Sequence, residues 1–319
     1  MTILITGACG YIGSHVSRLL DESLKPEINL IGIDNLCKGS MSNASIPIIV
    51  EDIRNKEELR EIFKEYKPSM VMHLAALTSV PESAEKKEEY FDVNTTGTKN
   101  ILDCMVEFGC KSIIFSSTAS VYEQVSHPVK EFDAVQPLNN YALSKLEAEQ
   151  EIKTYAVNHG ISYTIFRYFN VIGYADWYDT SKELSKTNIV PSLLRCMQSG
   201  DKFQVYGNTY STFRENPNDH TCVRDYIDVR DIANAHLLAL MYLNMHKDSQ
   251  QTFNLGTVKG TSVLELLDAF EHANQVKVPY EIVGPRVGDP SFIVADSTKA
   301  KELLCWKPEY TLEQSLTIF

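Results

Sequence analysis

Residues 2–15 read Thr2-Ile-Leu-Ile-Thr6-Gly7-Ala-Cys9-Gly10-Tyr11-Ile12-Gly13-Ser-His15. A short strand-like run enters a glycine-rich turn, and a helical pattern starts at once. Gly7, Gly10 and Gly13 let the backbone turn tightly and approach a pyrophosphate, whose charge the free amides of a helix N-terminus favour. Glycine triplets also occur in βα turns that hold nothing, so the residues downstream decide the meaning of this one. The second apolar run, 29–33, leads to Asp34, about twenty residues past the glycines, where a carboxylate can accept hydrogen bonds from an adenosine ribose diol. That carboxylate would repel a 2′-phosphate, which favours NAD over NADP, with Lys38 nearby as the one feature against it. Asp52-Ile53 follows the third strand candidate. The fourth ends in His73-Leu74-Ala75-Ala76, small residues where a flat cofactor passes the sheet edge. Taken singly, His73 reads as a hydrogen-bonded core histidine.

Along the rest of the chain, short apolar runs at 2–6, 29–33, 47–50, 70–74, 112–116 and 162–168 alternate with helical patterns at 55–66, 85–108 and 140–157. This predicts an α/β fold built on a doubly wound parallel, Rossmann-type sheet. After Asn170 the alternation stops, and 173–186 reads as a surface loop rich in Tyr, Asp, Ser and Lys. The expected division is an NAD-binding domain over 1–170 and a smaller mixed α/β domain, mainly for substrate, over 171–319, with parts around 224–256 packing back on the first. In this second half 189–197 and 231–245 read as helices and 224–229 and 252–255 as extended. Ser262 to Glu265 has capping-box spacing for a helix reaching residue 272.

At 319 residues the chain is long enough for roughly two domains. Hydrophobic residues make up 44% and charged residues 23%, as in a packed globule rather than a disordered chain. Thirty basic against 42 acidic residues leave a net charge of −12, which disfavours nucleic acid and anionic membranes as partners. The seven cysteines form no C-x-x-C pair and join no zinc-spaced histidines, so no metal site is expected and a reducing cytoplasm fits best. No signal-peptide pattern opens the chain, and the apolar stretch 232–245 is broken by Asn234, His236 and Asn244. A soluble cytoplasmic protein is expected.

Tyr141 and Lys145 lie four apart on a predicted helix, hence on one face. About one Tyr-x-x-x-Lys is expected by chance at this composition, and there is a second, Tyr178 with Lys182. Context separates them: Tyr141 follows a strand with the polar end Ser116-Ser117-Thr118, whereas Tyr178 lies in an aperiodic stretch. A tyrosine ordinarily titrates near 10, so action as a base at neutral pH needs a shift of about three units, or roughly 4 kcal/mol. The Lys145 ammonium and a positive nicotinamide ring could supply that shift, with Thr118 sharing the substrate proton.

The ordered set of segments 7–15, 34–36, 52–54, 115–122, Tyr141 with Lys145, 167–170, 223–226, 254–256 and 286–289 resembles the extended short-chain dehydrogenase/reductases over nearly the whole chain. Within them it is similar to the UDP-glucose (UDP-galactose) 4-epimerases. The resemblance implies NAD contacts from Tyr11, Ile12, Asp34, Asn35, Asp52, Ile53, Leu74, Ala75, Ala76, Asn94, Tyr141, Lys145 and Phe169. It implies that Asn170, Asn188, Tyr206, Arg224, Arg286 and Asp289 hold the UDP portion. From the residues alone, Arg224 and Arg286 fit either a diphosphate or a domain-joining salt bridge.

C4 of a hexose has no adjacent carbonyl, so no side-chain base can remove its hydrogen directly. Transient oxidation, rotation of the ketose and hydride return to the other face avoid that step, with Thr118, Tyr141 and Lys145 as the catalytic residues. Ala119-Ser120 stands where sugar-nucleotide dehydratases carry an acid pair, which disfavours a 4,6-dehydratase. Thr78, Glu123 and the long 210–220 loop depart from the epimerase pattern. The alternatives are a UDP-N-acetylhexosamine or UDP-glucuronate epimerase, with Ile293 near the position that limits bulk at C2, and a noncatalytic NAD sensor. A homodimer is expected to pair 85–108 and 140–157 across a two-fold axis.

Overall fold

The structure is a computed structural model that describes residues 1–179, 188–210, 218–285 and 290–318. Six strands in its first half, β1 (Thr2–Thr6), β2 (Asn29–Asp34), β3 (Ile48–Val50), β4 (Met70–His73), β5 (Ser112–Thr118) and β6 (Ser162–Tyr168), pair in parallel. Between and around them run the helices α1 (Tyr11–Ser23), α2 (Lys56–Tyr66), α3 (Val80–Glu85), α4 (Lys87–Phe91), α5 (Gly97–Phe108) and α6 (Asn140–His159). The second half adds β7 (Asn170–Ile172), β8 (Phe203–Tyr206), β9 (Val223–Asp228) and β10 (Gln250–Leu255), with α7 (Ile189–Ser199) and α8 (Val229–Met245). It ends in β11 (Gly260–Ser262), α9 (Val263–Asn274), β12 (Tyr280–Val283), β13 (Phe292–Ile293), α10 (Thr298–Leu304) and α11 (Leu312–Leu316).

The main sheet runs β10-β6-β5-β4-β1-β2-β3. Winding reverses on either side of β1, so the crevice beyond the carboxyl ends of β1 and β4 is where an open α/β sheet holds ligands. Both faces are covered, which is why β1 and β5 read as apolar runs. Ile3 and Ile5 enter one core and Leu4 the other, as the two-residue strand period requires. β10 lies beside β6, and α8 packs along α1, so residues from both halves build one of these cores.

The expected continuous helix over 85–108 is corrected. α3 starts at a Ser79 cap followed by a proline, Lys86 leaves helical geometry (φ −120°, ψ 45°), and α4 runs into a π-helical turn, Asp92–Thr96, before α5. That turn carries Asn94, and a widened turn that places a functional side chain is a recurrent use of π geometry. The Ser262–Glu265 capping box forms as expected.

Away from the main sheet, β9 is the hub. It pairs in parallel with β7 and β13 and antiparallel with β11, while β8 and β12 form a separate parallel pair.

Candidate active site

Gly7 ends β1 in the left-handed region (φ 71°), and a Cβ there would lie 2.6 Å from the Ala75 amide nitrogen. A Cβ on Gly13 would lie 1.9 Å from the Gly7 carbonyl oxygen. Gly10 is the N-cap of α1 and offers no side-chain cap, which leaves the first amides of Tyr11 and Ile12 for a ligand. At the end of β2, Asp34 accepts from the Cys9 amide (2.9 Å) and the Leu36 amide (2.8 Å), so its carboxylate is fixed beside the glycine turn. Asn35 donates to Asp52 Oδ2 (2.8 Å), and the Arg54 guanidinium holds the Asp52 carboxyl well below the usual range. Lys38 points its charge at Glu82, 3.6 Å away.

His73 has the structural role its residue type suggested. Thr98 uses its own proton on the Asn94 carbonyl (2.6 Å), so His73 Nε2 donates to Thr98 Oγ1 (2.9 Å) and Nδ1 accepts from Thr6 Oγ1 (2.6 Å). Burial, then the Lys145 charge, pushes the imidazole down to about 3, so it is neutral. Asn94 is buried too. Its amide clamps Leu77 from both sides, accepting from Leu77 N (2.8 Å) and donating to Leu77 O (2.9 Å), and also donates to Ser144 (3.0 Å). These bonds set the course of 74–77 past the glycine turn. Ile53 is buried against Gly97, and Phe169 is buried beside Ala119 and Tyr122.

Thr118 closes β5, and Asn139 caps α6 by accepting from the Ala142 amide (2.8 Å), which aims the helix's first turn at the strand end. Tyr141 is half-buried, with Thr118 as the side chain that favours its ionised form. One turn on, Lys145 is 2% exposed, with Nζ 4.2 Å from the Phe115 ring centroid. The expected depression of the phenol is absent from the protein by itself. Burial pushes Tyr141 up to about 12, with Thr118 working the other way. Burial likewise pushes Lys145 down to about 7 against the pull of Glu149. Both groups are driven towards neutrality because a low-dielectric site penalises either charge.

The residues fit a dinucleotide. Two glycines stand where any side chain would collide with backbone, a fixed carboxylate ends β2, and the buried Lys145 amine lies against the Phe115 ring.

In the second half, Asn170 opens β7, Asn188 caps α7, Tyr206 ends β8 and donates to Gln204 (2.8 Å), and Arg224 is buried on β9. Arg224 pairs in register with Ile293 of β13, so the guanidinium-bearing strand and the candidate C2-limiting residue are neighbours. Arg286 and Asp289 lie outside the described residues, as does Lys182. Residues 173–179 are not the solvent-facing loop expected from composition. Tyr174 is buried and stacks on Tyr178 (interplanar angle 13°), both rings meet Tyr11, and Trp177 packs on His15 under the Arg18 guanidinium. Four polar residue types hid an aromatic cluster. Tyr210 N donates to His220 O (3.0 Å), which joins the ends of the long loop whose residues 211–217 are outside those described. Thr78 and Glu123 are exposed.

The sequence reading missed Glu149 and quoted Ser117 and Arg167 only as parts of longer segments, without a role. Glu149 accepts from Ser117 Oγ (2.6 Å) and from Arg167 Nε (3.0 Å) and Nη2 (2.7 Å), all buried beneath the Tyr141–Lys145 face. The four-residue step from Lys145 to Glu149 was the available signal.

Residues 3–256 match the model of the NAD dependent epimerase/dehydratase family. A UDP-glucose 4-epimerase from Lacticaseibacillus casei is 38% identical over 316 residues, 97% of this chain and 92% of that protein. The crystal structure of UDP-glucose-4-epimerase from Stenotrophomonas maltophila with bound NAD and formylated UDP-arabinopyranose superimposes with a TM-score of 0.91 at 33% identity, covering 99% of this chain and 96% of that one. The Brucella ovis UDP-glucose 4-epimerase in complex with NAD gives 0.89 at 33% identity, with 99% and 96% covered.

Proposed function

We propose that this chain, which belongs to the NAD dependent epimerase/dehydratase family, inverts C4 of a UDP-hexose, interconverting UDP-glucose and UDP-galactose through a transient 4-keto sugar. The observation that carries the reading is the placement of Tyr141 and the buried Lys145, one turn apart on α6, against the end of β5 that carries Phe115 and Thr118, in the same sheet as the glycine turn. NAD, when bound, supplies a reversible hydride acceptor and a positive ring. Tyr141 Oη takes the proton of the sugar's 4-hydroxyl and later returns it, while Thr118 Oγ1 bridges phenol and hydroxyl. Lys145 Nζ would contact the bound cofactor, and its charge lowers the energy of the phenolate. The added positive charge is what offsets a burial that otherwise keeps the phenol protonated.

We assign cofactor binding to residues 1–170 and the sugar nucleotide mainly to 171–319. Asn170, Asn188, Tyr206, Arg224, Arg286 and Asp289 grip the UDP portion, so the hexose is free to turn between the two hydride transfers. No described helix is long and apolar enough to cross a membrane, and all seven cysteines are free thiols. We place the protein in the cytoplasm, as a homodimer joined through α5 and α6; sedimentation giving only monomer at micromolar concentration would remove the dimer. The function is tested by incubating the protein and NAD with UDP-galactose and following UDP-glucose by NMR. Conversion to the equilibrium mixture is expected. A protein that binds NAD yet converts no UDP-hexose contradicts the reading.

A further inference from the structure

We propose that Glu149 is a positioning residue for the reaction: through Ser117 and Arg167 it ties the catalytic helix to the two strand ends beside Thr118, and as the negative charge one turn beyond Lys145 it sets the pH range of turnover. This rests on the reading of Tyr141 and Lys145 given above.

Tyr141, Lys145 and Glu149 come at four-residue steps along α6 and so share one face. Glu149 is fully buried, and its carboxylate accepts four donors: Ser117 Oγ, Arg167 Nε and Nη2, and Lys153 Nζ at 3.4 Å. Ser117 precedes Thr118 on β5, and Arg167 lies on the neighbouring β6, one residue before the register partner of Thr118. One carboxylate therefore braces helix and strands where the phenol must meet Thr118. Arg167 is itself held against the Tyr122 ring, 4.7 Å from guanidinium to centroid. A buried ion pair is weak evidence for stability, because packed apolar residues of equal volume commonly do as well. The placement of this one suits control of a neighbouring charge.

The groups facing Lys145 come from four elements. β4 presents His73, which is neutral, and β5 presents the Phe115 ring. α6 presents Tyr141, protonated in the protein alone, together with Glu149, and β6 presents Arg167 on the far side of the carboxylate. Among these Glu149 is the one negative charge, and it opposes the burial that drives Lys145 towards the free amine. Arg167 keeps the carboxylate ionised and partly offsets its field.

The test is the pH profile of kcat for UDP-galactose, measured on NAD-loaded enzyme from pH 6 to 10. Glu149→Gln keeps the shape and removes the charge. Its alkaline limb is expected to move down by about one pH unit, a tenfold change in an ionisation constant, with KM nearly unchanged. Glu149→Asp, which keeps the charge, should stay within about 0.3 unit of wild type, and Ser117→Ala should lower kcat by about three- to tenfold without moving the limb. A folded, NAD-loaded Glu149→Gln enzyme with the wild-type limb overturns the proposal, as does an equal movement in Ser117→Ala. Should Glu149→Gln not fold, Arg167→Lys decides. It loosens the fork but leaves the carboxylate, so the limb should rise by about half a unit, and an unmoved limb overturns the proposal. A wild type that converts UDP-galactose while these limbs stay put sinks this proposal alone; a wild type with no turnover removes the proposed function and this proposal with it.

Discussion

In the first half of the molecule Gly7, Asp34, Asp52, Leu74 to Ala76, Thr118 and Phe169 stand at or just past the ends of parallel strands in one sheet. In the second half Asn170, Asn188, Tyr206 and Arg224 come from β7, the cap of α7, β8 and β9, spread over two small sheets and a helix. The first set is positioned by a repeated local unit, strand then turn then helix, whose spacing is visible in the chain. The second depends on pairings such as Asn170 with Tyr226 and Arg224 with Ile293, between strands of two to six residues far apart in sequence. The first kind of site is specified locally and the second by tertiary contact, so substitutions should separate the two.

The largest expected effect ignores that boundary. Tyr141→Phe removes the group that handles the proton, so turnover should fall by about 10³-fold or more while NAD stays bound and UDP affinity is kept. Assays of turnover, bound-nucleotide absorbance and UDP titration check the three together, and ordinary turnover would remove Tyr141 from its role. Next, Gly13→Ala should break the first half alone. Its Cβ would overlap the Gly7 carbonyl, so NAD should be lost from the purified protein and unfolding free energy should drop by about 3 kcal/mol in a denaturant titration. Arg224→Lys should touch the second half alone, raising KM for UDP-galactose by about ten- to a hundredfold with NAD content intact, because an ammonium cannot reproduce a two-pronged grip on a diphosphate. A matching loss of NAD would show that the halves are not separable.

The smallest effect concerns Lys145 in cofactor-free protein. Its folded value of about 7 lies below the ordinary 10.5, so the unfolded chain binds more protons between those limits and stability from this group rises with pH across that window. Lys145→Met should flatten that part of the stability–pH curve. An unchanged slope would mean that Lys145 keeps its charge when buried.

The same division explains what could be read before the fold was known. β1 and β6 fall where the apolar runs put them, and Tyr141 was separated from Tyr178 by the polar strand end preceding it. The break at Lys86 and the π turn were illegible because Asn94 is held there by bonds to Leu77 and Ser144, partners 17 and 50 residues away. The 173–179 segment looked like loop because its aromatic rings pack on Tyr11 and His15, more than 150 residues earlier. Glu149 and Arg167 looked like ordinary charges until the helix and β6 were seen to enclose them together. The raised phenol is a further lesson: residue types suggested Tyr141 as the base, but burial sets its charge.

The hydrogen on C4 offers the sharpest test of transient oxidation. With UDP-galactose deuterated at C4 in ordinary water, product UDP-glucose is expected to keep its deuterium at C4, since that hydrogen leaves and returns within one closed crevice. Deuterium washed out into solvent would contradict it, because the carbon would then have been inverted by exchange with water.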